Sequence, residues 1–171
     1  MSPAAGPPEI TAAARVRHLA LFRQLTAASL HQPPDMVRLE HDDRGQPRVT
    51  EPSPHFLSAA DRDGWTLTAI ADLPVGVDVE AAEPEAPLPI DLLHAAERRR
   101  LSRLAPADRT VAFARLWTAK EAYAKAFCRS IDEALALPSR AGASGLTIGG
   151  AAVAFHCFAD RIAAAVVADR R

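Results

Sequence analysis

Lysine is almost absent from this sequence. The chain has 20 basic residues, but only Lys120 and Lys125 are lysines, and arginine supplies the rest. The two side chains are largely interchangeable on a solvated surface, but not where a compact ammonium must meet a phosphate or move a proton. Two leftover lysines could fall together by coincidence, but their position on either side of Glu121 favours a functional explanation.

Other absences narrow the class of protein. The net charge is −1, which gives no reason to expect a nucleic-acid-binding surface. No apolar run approaches the roughly 18 residues of a membrane span, and no secretory segment is recognisable, so we expect neither a membrane protein nor export. Cys128 and Cys157 are not spaced as a disulfide framework or a metal cluster. We expect both to be small buried residues of a cytoplasmic protein, because the cytosol keeps thiols reduced.

The length and the order of the predicted elements favour one α+β unit. A chain of 171 residues can form one sizeable core, or two small subdomains that share one. Helical and strand-like patterns alternate unevenly, with hairpins, which is typical of an α+β (mixed α/β) fold rather than a doubly wound parallel sheet. A disordered tail is predicted at 1–9 and a proline-rich linker at 81–89. Helices are predicted over 10–30, 90–104 and 107–127, and strands over 37–41, 65–71, 75–80, 146–148, 151–158 and 161–168.

The strand predicted at 75–80 carries two acidic residues on one face. Its valines occupy one side, and Gly76, Asp78 and Glu80 occupy the other. The two carboxylates therefore project together, roughly 7 Å apart along the backbone, and Gly76 leaves room for a ligand or for another backbone. Mg²⁺ prefers such carboxylates together with substrate phosphates and water. Taken alone, the pattern is more often that of an edge strand with a solvated outer face.

The long helix that follows strengthens the case for a site. Its expected apolar stripe consists of Ala112, Leu116, Ala119, Tyr123 and Phe127. Glu121 and Lys125 are four residues apart on a different face, where they can act on one ligand or form a surface ion pair of about 0.3–0.5 kcal/mol. Lys120 lies beside the apolar stripe, so its ammonium needs a counter-charge, either a phosphate or a carboxylate such as Asp78 or Glu80. Together the three carboxylates and two lysines suggest a metal–phosphate site.

These segments resemble the two-part signature of the 4'-phosphopantetheinyl transferases. The first part is Val75-Gly76-Val77-Asp78-Val79-Glu80, and the second is Trp117-Thr118-Ala119-Lys120-Glu121-Ala122 followed by Lys125. The long segment before the acidic strand is similar to the surfactin-synthetase-activating type rather than to the short holo-acyl-carrier-protein synthase type. The similarity runs from about residue 12 to the C-terminus and includes Gly45-Gln46-Pro47 and the helix residue Glu97.

The resemblance implies a fold and an activity. The fold would be two similar α/β halves in a pseudo-twofold arrangement, here 10–80 and 81–171, with coenzyme A between them. The reaction would transfer the 4'-phosphopantetheine arm of coenzyme A to a serine of an apo acyl or peptidyl carrier protein, releasing adenosine 3',5'-bisphosphate. Mg²⁺ would be the metal, or Mn²⁺, which also suits oxygen ligands. The expected partners are coenzyme A and a carrier protein of a biosynthetic pathway, not a nucleic acid or a membrane.

The matching positions also imply catalytic roles. Asp78, Glu80 and Glu121 would hold the metal on the pyrophosphate. Glu121 would also accept the serine proton, directly or through water. Lys125 would stabilise or protonate the leaving bisphosphate, and Lys120 would hold a phosphate oxygen.

At the nucleotide end the sequence departs from the family. The family's histidine that contacts the 3'-phosphate of the coenzyme is replaced by Ala59, whereas the serine before it is kept as Ser58, which is a predicted coenzyme contact. Gln46 stands where a basic residue is common, and Arg44 or Arg48 is expected to compensate as a coenzyme-binding residue.

Two further positions depart from the family pattern after the lysine helix. Its two glycines are Cys128 and Ser130 here, and a positive φ at either would strain the backbone. His55 is expected to be a surface residue rather than a relocated phosphate ligand. Two functions therefore stay open: an active transferase with altered coenzyme binding, or a noncatalytic homologue that binds a carrier protein or partner subunit. The complete set of carboxylates and lysines favours the transferase.

Overall fold

Two antiparallel sheets and four α-helices make up the part of the chain that this computed structural model describes, residues 12–43, 45–82, 88–142 and 145–168. The helices are α1 (Ala12–Leu30), α2 (Ala95–Leu101), α3 (Pro106–Phe127) and α4 (Ile131–Ala136). The strands are β1 (Arg38–His41), β2 (Pro47–Glu51), β3 (His55–Arg62), β4 (Trp65–Ala71), β5 (Val75–Ala81), β6 (Ser139–Gly142), β7 (Gly145–Ile148), β8 (Ala151–Phe158) and β9 (Arg161–Val167). The predicted α+β class is confirmed.

Each sheet packs against one long helix. The first sheet has the strand order β1-β2-β3-β4, and its core places Phe22 of α1 against Val49 and Leu57. The second sheet has the order β5-β9-β8-β7-β6, and α3 packs on it through Ala119 and Tyr123. A third apolar cluster joins α2, α3 and α4. The arrangement of one long helix on each antiparallel sheet agrees with the two α/β halves that the resemblance implies.

Several elements differ from the predicted ones. The strands β2, β3 and β6 and the helix α4 were not predicted, because prolines and short lengths obscure their patterns. The helix predicted over 90–104 is shorter, since Ile90–Leu92 forms a 3₁₀ turn and α2 begins only after His94. The His94 Nδ1 atom accepts a hydrogen bond from the Ala96 N–H, so the side chain caps the helix there.

The acidic strand β5 belongs to the second sheet, where it is hydrogen-bonded to β9 along its whole length. The sheet boundary therefore does not coincide with the division predicted at residue 80. The outer edge of β5 is covered by side chains from other elements. Val77 donates its N–H to Ser58 Oγ (3.0 Å) and accepts at its carbonyl from Lys125 Nζ (3.1 Å), while the Val75 carbonyl accepts from Gln46 Nε2 (3.4 Å). These contacts satisfy an edge that would otherwise be open to pairing.

Gly76 is where α3 comes closest to β5. A Cβ atom at this position would lie 2.0 Å from the Ala122 carbonyl oxygen and 2.4 Å from the Ala126 nitrogen. Of the two neighbours expected for Gly76, a ligand or another backbone, the structure therefore places a backbone there. This contact lays the last two turns of α3 directly across the acidic strand.

The cysteine prediction is wrong in part. Cys157 is exposed on β8, and Cys128 is only half-buried at the end of α3. None of the helices in the described segments is both long and apolar enough to cross a bilayer. The predicted tail at 1–9, residue Arg44 and the central part of the predicted linker, 83–87, lie outside the described residues.

We expect Gly76→Ala to destabilise the protein by more than about 3 kcal/mol, because the added methyl group collides with helix backbone that cannot rotate away. Gly150→Ala is the matched control. Gly150 has open space around it but a φ of 87°, so alanine there costs only the backbone strain, about 1–2 kcal/mol. Urea unfolding followed by circular dichroism measures both values. Equal costs for the two variants would contradict the close helix–strand contact.

Candidate active site

A cavity of about 810 Å³ lies between α1, the turn before β2, the strand β3 and the end of α3. Its wall includes three of the residues predicted for the site, Ser58, Glu121 and Lys125, and also Ala59, the position of the family's missing histidine. Cofactor sites typically measure 300–1,000 Å³. The volume is therefore sufficient for a ligand of cofactor size.

Lys125 connects α3 to the acidic strand. Its Nζ atom lies 2.8 Å from Asp78 Oδ1 and 3.1 Å from the carbonyl oxygen of Val77. Sequence spacing allowed an ordinary ion pair with Glu121, but the structure pairs Lys125 with Asp78 instead. The side chain is one-third exposed and lines the cavity, so its ammonium faces both the carboxylate and the ligand space.

The three predicted metal ligands are electrostatically coupled. Burial raises the pKa of Asp78 from 3.8 to about 7; Lys125 opposes the shift, and the negative charges of Glu121 and Glu80 add to it. Burial likewise raises the pKa of Glu80, against the opposing charge of Arg62 and with the help of Glu121. The negative charge of Glu121 therefore acts on both carboxylates of the acidic strand.

The donor set fits a hard divalent cation. All three groups offer carboxylate oxygens, which Mg²⁺ and Mn²⁺ prefer. The Oδ2 atom of Asp78 is buried without a hydrogen-bond partner, which leaves a charged oxygen to be satisfied. Within the described residues, no three His, Cys, Asp or Glu side chains are already arranged as a metal-binding cluster. The positive charge here comes instead from Lys125 on Asp78 and from Arg62, whose Nε lies 3.0 Å from Glu80 Oε2.

Lys120 is not at the cavity. Its side chain is fully buried, with Nζ 3.0 Å from Glu97 Oε1, and it also donates to the carbonyl oxygens of Ala134 (3.1 Å) and Leu137. Three acceptors match the three N–H donors of an ammonium. The expected counter-charge for Lys120 was a phosphate or a carboxylate of the acidic strand, but the structure supplies Glu97. Lys120 therefore holds α2, α3 and α4 together instead of reaching the cavity as a phosphate ligand.

Ser58 lies at the junction of the two sheets. It is buried, its Oγ accepts from the N–H of Val77, and it forms part of the cavity wall. The neighbouring Ala59 lines the same wall, so a histidine at that position would face the ligand space. This placement supports the correspondence drawn from the sequence.

Of the two arginines expected to compensate for Gln46, Arg44 lies outside the described residues and Arg48 does not line the larger cavity. Arg48 binds Asp42 Oδ2 through Nη2 at 2.7 Å, and its guanidinium lies 4.5 Å above the ring of Phe56. It lines a second cavity of about 520 Å³ rather than the larger one. His55 is half-buried, not on the surface as expected, and its Nε2 lies 3.3 Å from Asp72 Oδ1.

The part of the cavity wall that was not predicted includes three polar or charged side chains, those of His41, Gln46 and Arg129. Gln46 donates through Nε2 to the carbonyl of Lys125 (3.0 Å) and accepts from Cys128 Sγ (3.2 Å). The turn sequence around Gln46 was available as a signal, but only the fold shows that its amide reaches the lysine helix. Arg129 follows the lysine helix closely enough to be considered, whereas nothing in the sequence distinguishes His41.

The two positions that replace family glycines behave differently. Cys128 caps α3 with a φ of 50°, so the expected left-handed conformation is present there. Ser130 has a φ of −68° and begins α4 through a capping box with Glu133. Of these two positions only Cys128 is strained, and serine is a favourable residue at the second.

In this α+β fold the helix α3, which carries both lysines, lies across the acidic strand β5, and a cavity of cofactor size lies beside them. These three features define the class of protein. The model of the 4'-phosphopantetheinyl transferase superfamily matches residues 74–166. A curated relative, 4'-phosphopantetheinyl transferase psf-1 of Bacillus pumilus, is 30% identical over 117 residues, which cover 67% of this chain and 50% of the relative. This chain belongs to the 4'-phosphopantetheinyl transferase superfamily. It spans about half the length of the curated relative that it matches.

We expect the metal-free protein to lose stability as the pH rises from about 4 to about 7. The pKa of Asp78 is higher in the folded than in the unfolded state, so the folded state binds more protons between these pH values. Proton binding therefore stabilises the fold at low pH, and this stabilisation is lost as the pH rises through the folded pKa. The contribution is up to about 4 kcal/mol, from the size of the shift. Urea unfolding with a chelator, at several pH values, measures it.

Asp78→Asn serves as the reference for this titration, because asparagine keeps the shape and cannot ionise. The difference in the free energy of unfolding between wild type and Asp78→Asn should change between about pH 4 and pH 7, because the contributions of the other titrating groups are common to both proteins. Parallel pH profiles for the two proteins would mean that Asp78 is already ionised at acidic pH in the folded state.

Proposed function

We propose that this protein transfers the 4'-phosphopantetheine arm of coenzyme A to a serine of an apo acyl or peptidyl carrier protein, with release of adenosine 3',5'-bisphosphate. The observation that carries the proposal is the position of Lys125, which links Asp78 of the acidic strand to a cavity that Glu121 also lines. Family membership and the activity named for the Bacillus pumilus relative support the same class of reaction.

Asp78, Glu80 and Glu121 would hold the divalent cation, Mg²⁺ or Mn²⁺. When bound, the cation supplies positive charge to the pyrophosphate of the coenzyme. The unpartnered Oδ2 of Asp78 is the carboxylate oxygen available to it. Lys125, whose side chain is one-third exposed in the cavity wall, would bind a phosphate oxygen.

The transfer exchanges one phosphorus–oxygen bond for another. The serine oxygen forms a bond to the phosphorus that carries the pantetheine arm, and the bond from that phosphorus to the bisphosphate oxygen breaks. Glu121 accepts the serine proton, directly or through one water. Lys125 donates a hydrogen bond or its proton to the leaving bisphosphate oxygen and offsets its developing negative charge. Both side chains lie in the wall of one cavity, as these two roles require.

We expect Glu121→Gln and Lys125→Met each to lower the transfer rate by at least about 100-fold, because each removes a proton acceptor or donor at the reacting atoms. Purified protein is incubated with coenzyme A, Mg²⁺ and a panel of apo carrier proteins, and intact mass reports the phosphopantetheine gain. Glu40→Gln, an exposed glutamate on β1, is the matched control and should remain active.

A different result would favour the noncatalytic alternative. If the wild type produces no mass gain on any carrier and shows no coenzyme A binding by calorimetry, the transferase proposal fails. Binding of a carrier protein under those same conditions would then identify a carrier-binding module.

We expect Ala59→His to bind coenzyme A about tenfold more tightly, because an imidazole in the cavity wall can donate to a charged phosphate. Ala59→Leu has a side chain of comparable size without a donor and should give no gain. Calorimetry with coenzyme A, and with dephospho-coenzyme A, which lacks the 3'-phosphate, measures the effect. A gain that is equal for both ligands would show that the new side chain does not contact the 3'-phosphate.

A further inference from the structure

We propose that Arg62 is an internal counter-ion of the metal site. Its guanidinium pairs with Glu80 until a divalent cation displaces it, and this competition weakens metal binding. This inference rests on the proposed function, because it requires Glu80 to be a metal ligand. It concerns a residue that lies outside both the family's two-part signature and the cavity wall.

The ion pair between Arg62 and Glu80 spans the two sheets. Arg62 is the last residue of β3 in the first sheet, and Glu80 lies near the end of β5 in the second. The Arg62 Nε atom is 3.0 Å from Glu80 Oε2, a distance typical of a charge-assisted hydrogen bond. The Glu80 side chain is only 17% exposed, whereas that of Arg62 is 44% exposed. The mostly buried carboxylate of Glu80 is therefore neutralised by the more exposed side chain of Arg62, which has room to move away into solvent.

A second carboxylate stands beside Arg62 to receive it. Asp63 Oδ2 lies 3.6 Å from the Arg62 Nε atom and 3.5 Å from Arg161 Nη2, and the Asp63 side chain is more than half exposed. Arg161 also lies 3.5 Å from Asp160 Oδ2. When a metal takes Glu80, the guanidinium can shift to Asp63 without losing its ionic environment. The exchange needs only a side-chain movement at the rim of the hairpin between β3 and β4.

Competition follows from this geometry. A guanidinium held 3.0 Å from Glu80 Oε2 repels any cation that binds the same carboxylate, so the ion pair must weaken when Glu80 binds the metal. The apparent metal affinity is then reduced by the equilibrium constant of the pair. An ion pair with one mostly buried partner changes an equilibrium by roughly three- to tenfold.

Arg62 is a cleaner test of this competition than Lys125. Lys125 also neutralises a metal-ligand carboxylate, but it lines the cavity and has a proposed part in the transfer. A variant of Lys125 would therefore change metal binding and chemistry together. A variant of Arg62 changes the charge beside Glu80 and Asp63 but leaves the cavity wall intact.

The test is Mn²⁺ binding without coenzyme A at pH 8, measured by calorimetry and by the electron paramagnetic resonance signal of free Mn²⁺. We expect Arg62→Gln to bind Mn²⁺ roughly three- to tenfold more tightly than wild type. Arg62→Met, a second neutral variant of similar length, should show the same gain. In a Glu80→Gln background the Arg62→Gln substitution should have no effect, since its partner carboxylate is gone. Arg38→Gln, which removes the charge of an exposed arginine paired with Glu51 at the other edge of the first sheet, should leave the affinity unchanged.

Thermal melting of each variant with and without Mn²⁺ gives a second readout and verifies the fold. The rise in Tm on adding Mn²⁺ should be larger for Arg62→Gln than for wild type. Equal or weaker Mn²⁺ binding by both Arg62 variants, while Asp78→Asn and Glu80→Gln still weaken it, would overturn the counter-ion role and leave the proposed metal site intact. Affinity that is unchanged in Asp78→Asn and Glu80→Gln, or no binding by any protein, would overturn the metal site and the counter-ion role together.

Discussion

The close approach of α3 to β5 at Gly76 is the constraint on which the site depends. With no Cβ at this position, the carbonyl of Ala122 and the nitrogen of Ala126 can lie directly on the strand. The turns on either side then bring Glu121 and Lys125 over the same strand face that carries Asp78. Any larger residue would lift the helix and lengthen the contact between Lys125 and Asp78, now 2.8 Å. One backbone-to-backbone contact therefore sets the distances between the side chains of the candidate site.

The second constraint on the site is charge balance, because the contact between α3 and β5 buries acidic side chains. Burial raises the pKa of both Asp78 and Glu80, and the negative charge of Glu121 adds to both shifts. Positive charge reaches them from α3 through Lys125 and from the first sheet through Arg62. In the proposed reaction these side-chain cations would give way to a metal ion and to phosphate groups. The family relationship and the geometry therefore favour the same chemistry.

The two elements that carry the candidate site were predictable from local patterns, and the fold around them was less so. The alternation of β5 and the helical period of α3 are local, and both elements appear near the expected bounds. The strand β3, which carries Ser58 and Ala59, was missed because prolines before it are typical of a connector. The partner of Lys120 was missed for a different reason. A position beside the apolar stripe predicts that a counter-charge is needed, but the choice of Glu97 depends on how α2 packs against α3.

The sequence by itself determined the chemical groups and the two elements that present them, because side-chain direction along a strand or helix follows from local geometry. It also determined the family, through the spacing of the acidic and lysine segments. Only the tertiary structure decided which lysine reaches the cavity. Lys120 and Lys125 differ by five positions, so they face different sides of one helix, and packing against α2 and α4 encloses the first while β5 and the cavity receive the second. Long-range packing cannot be read from local patterns, because it depends on which faces of distant segments meet.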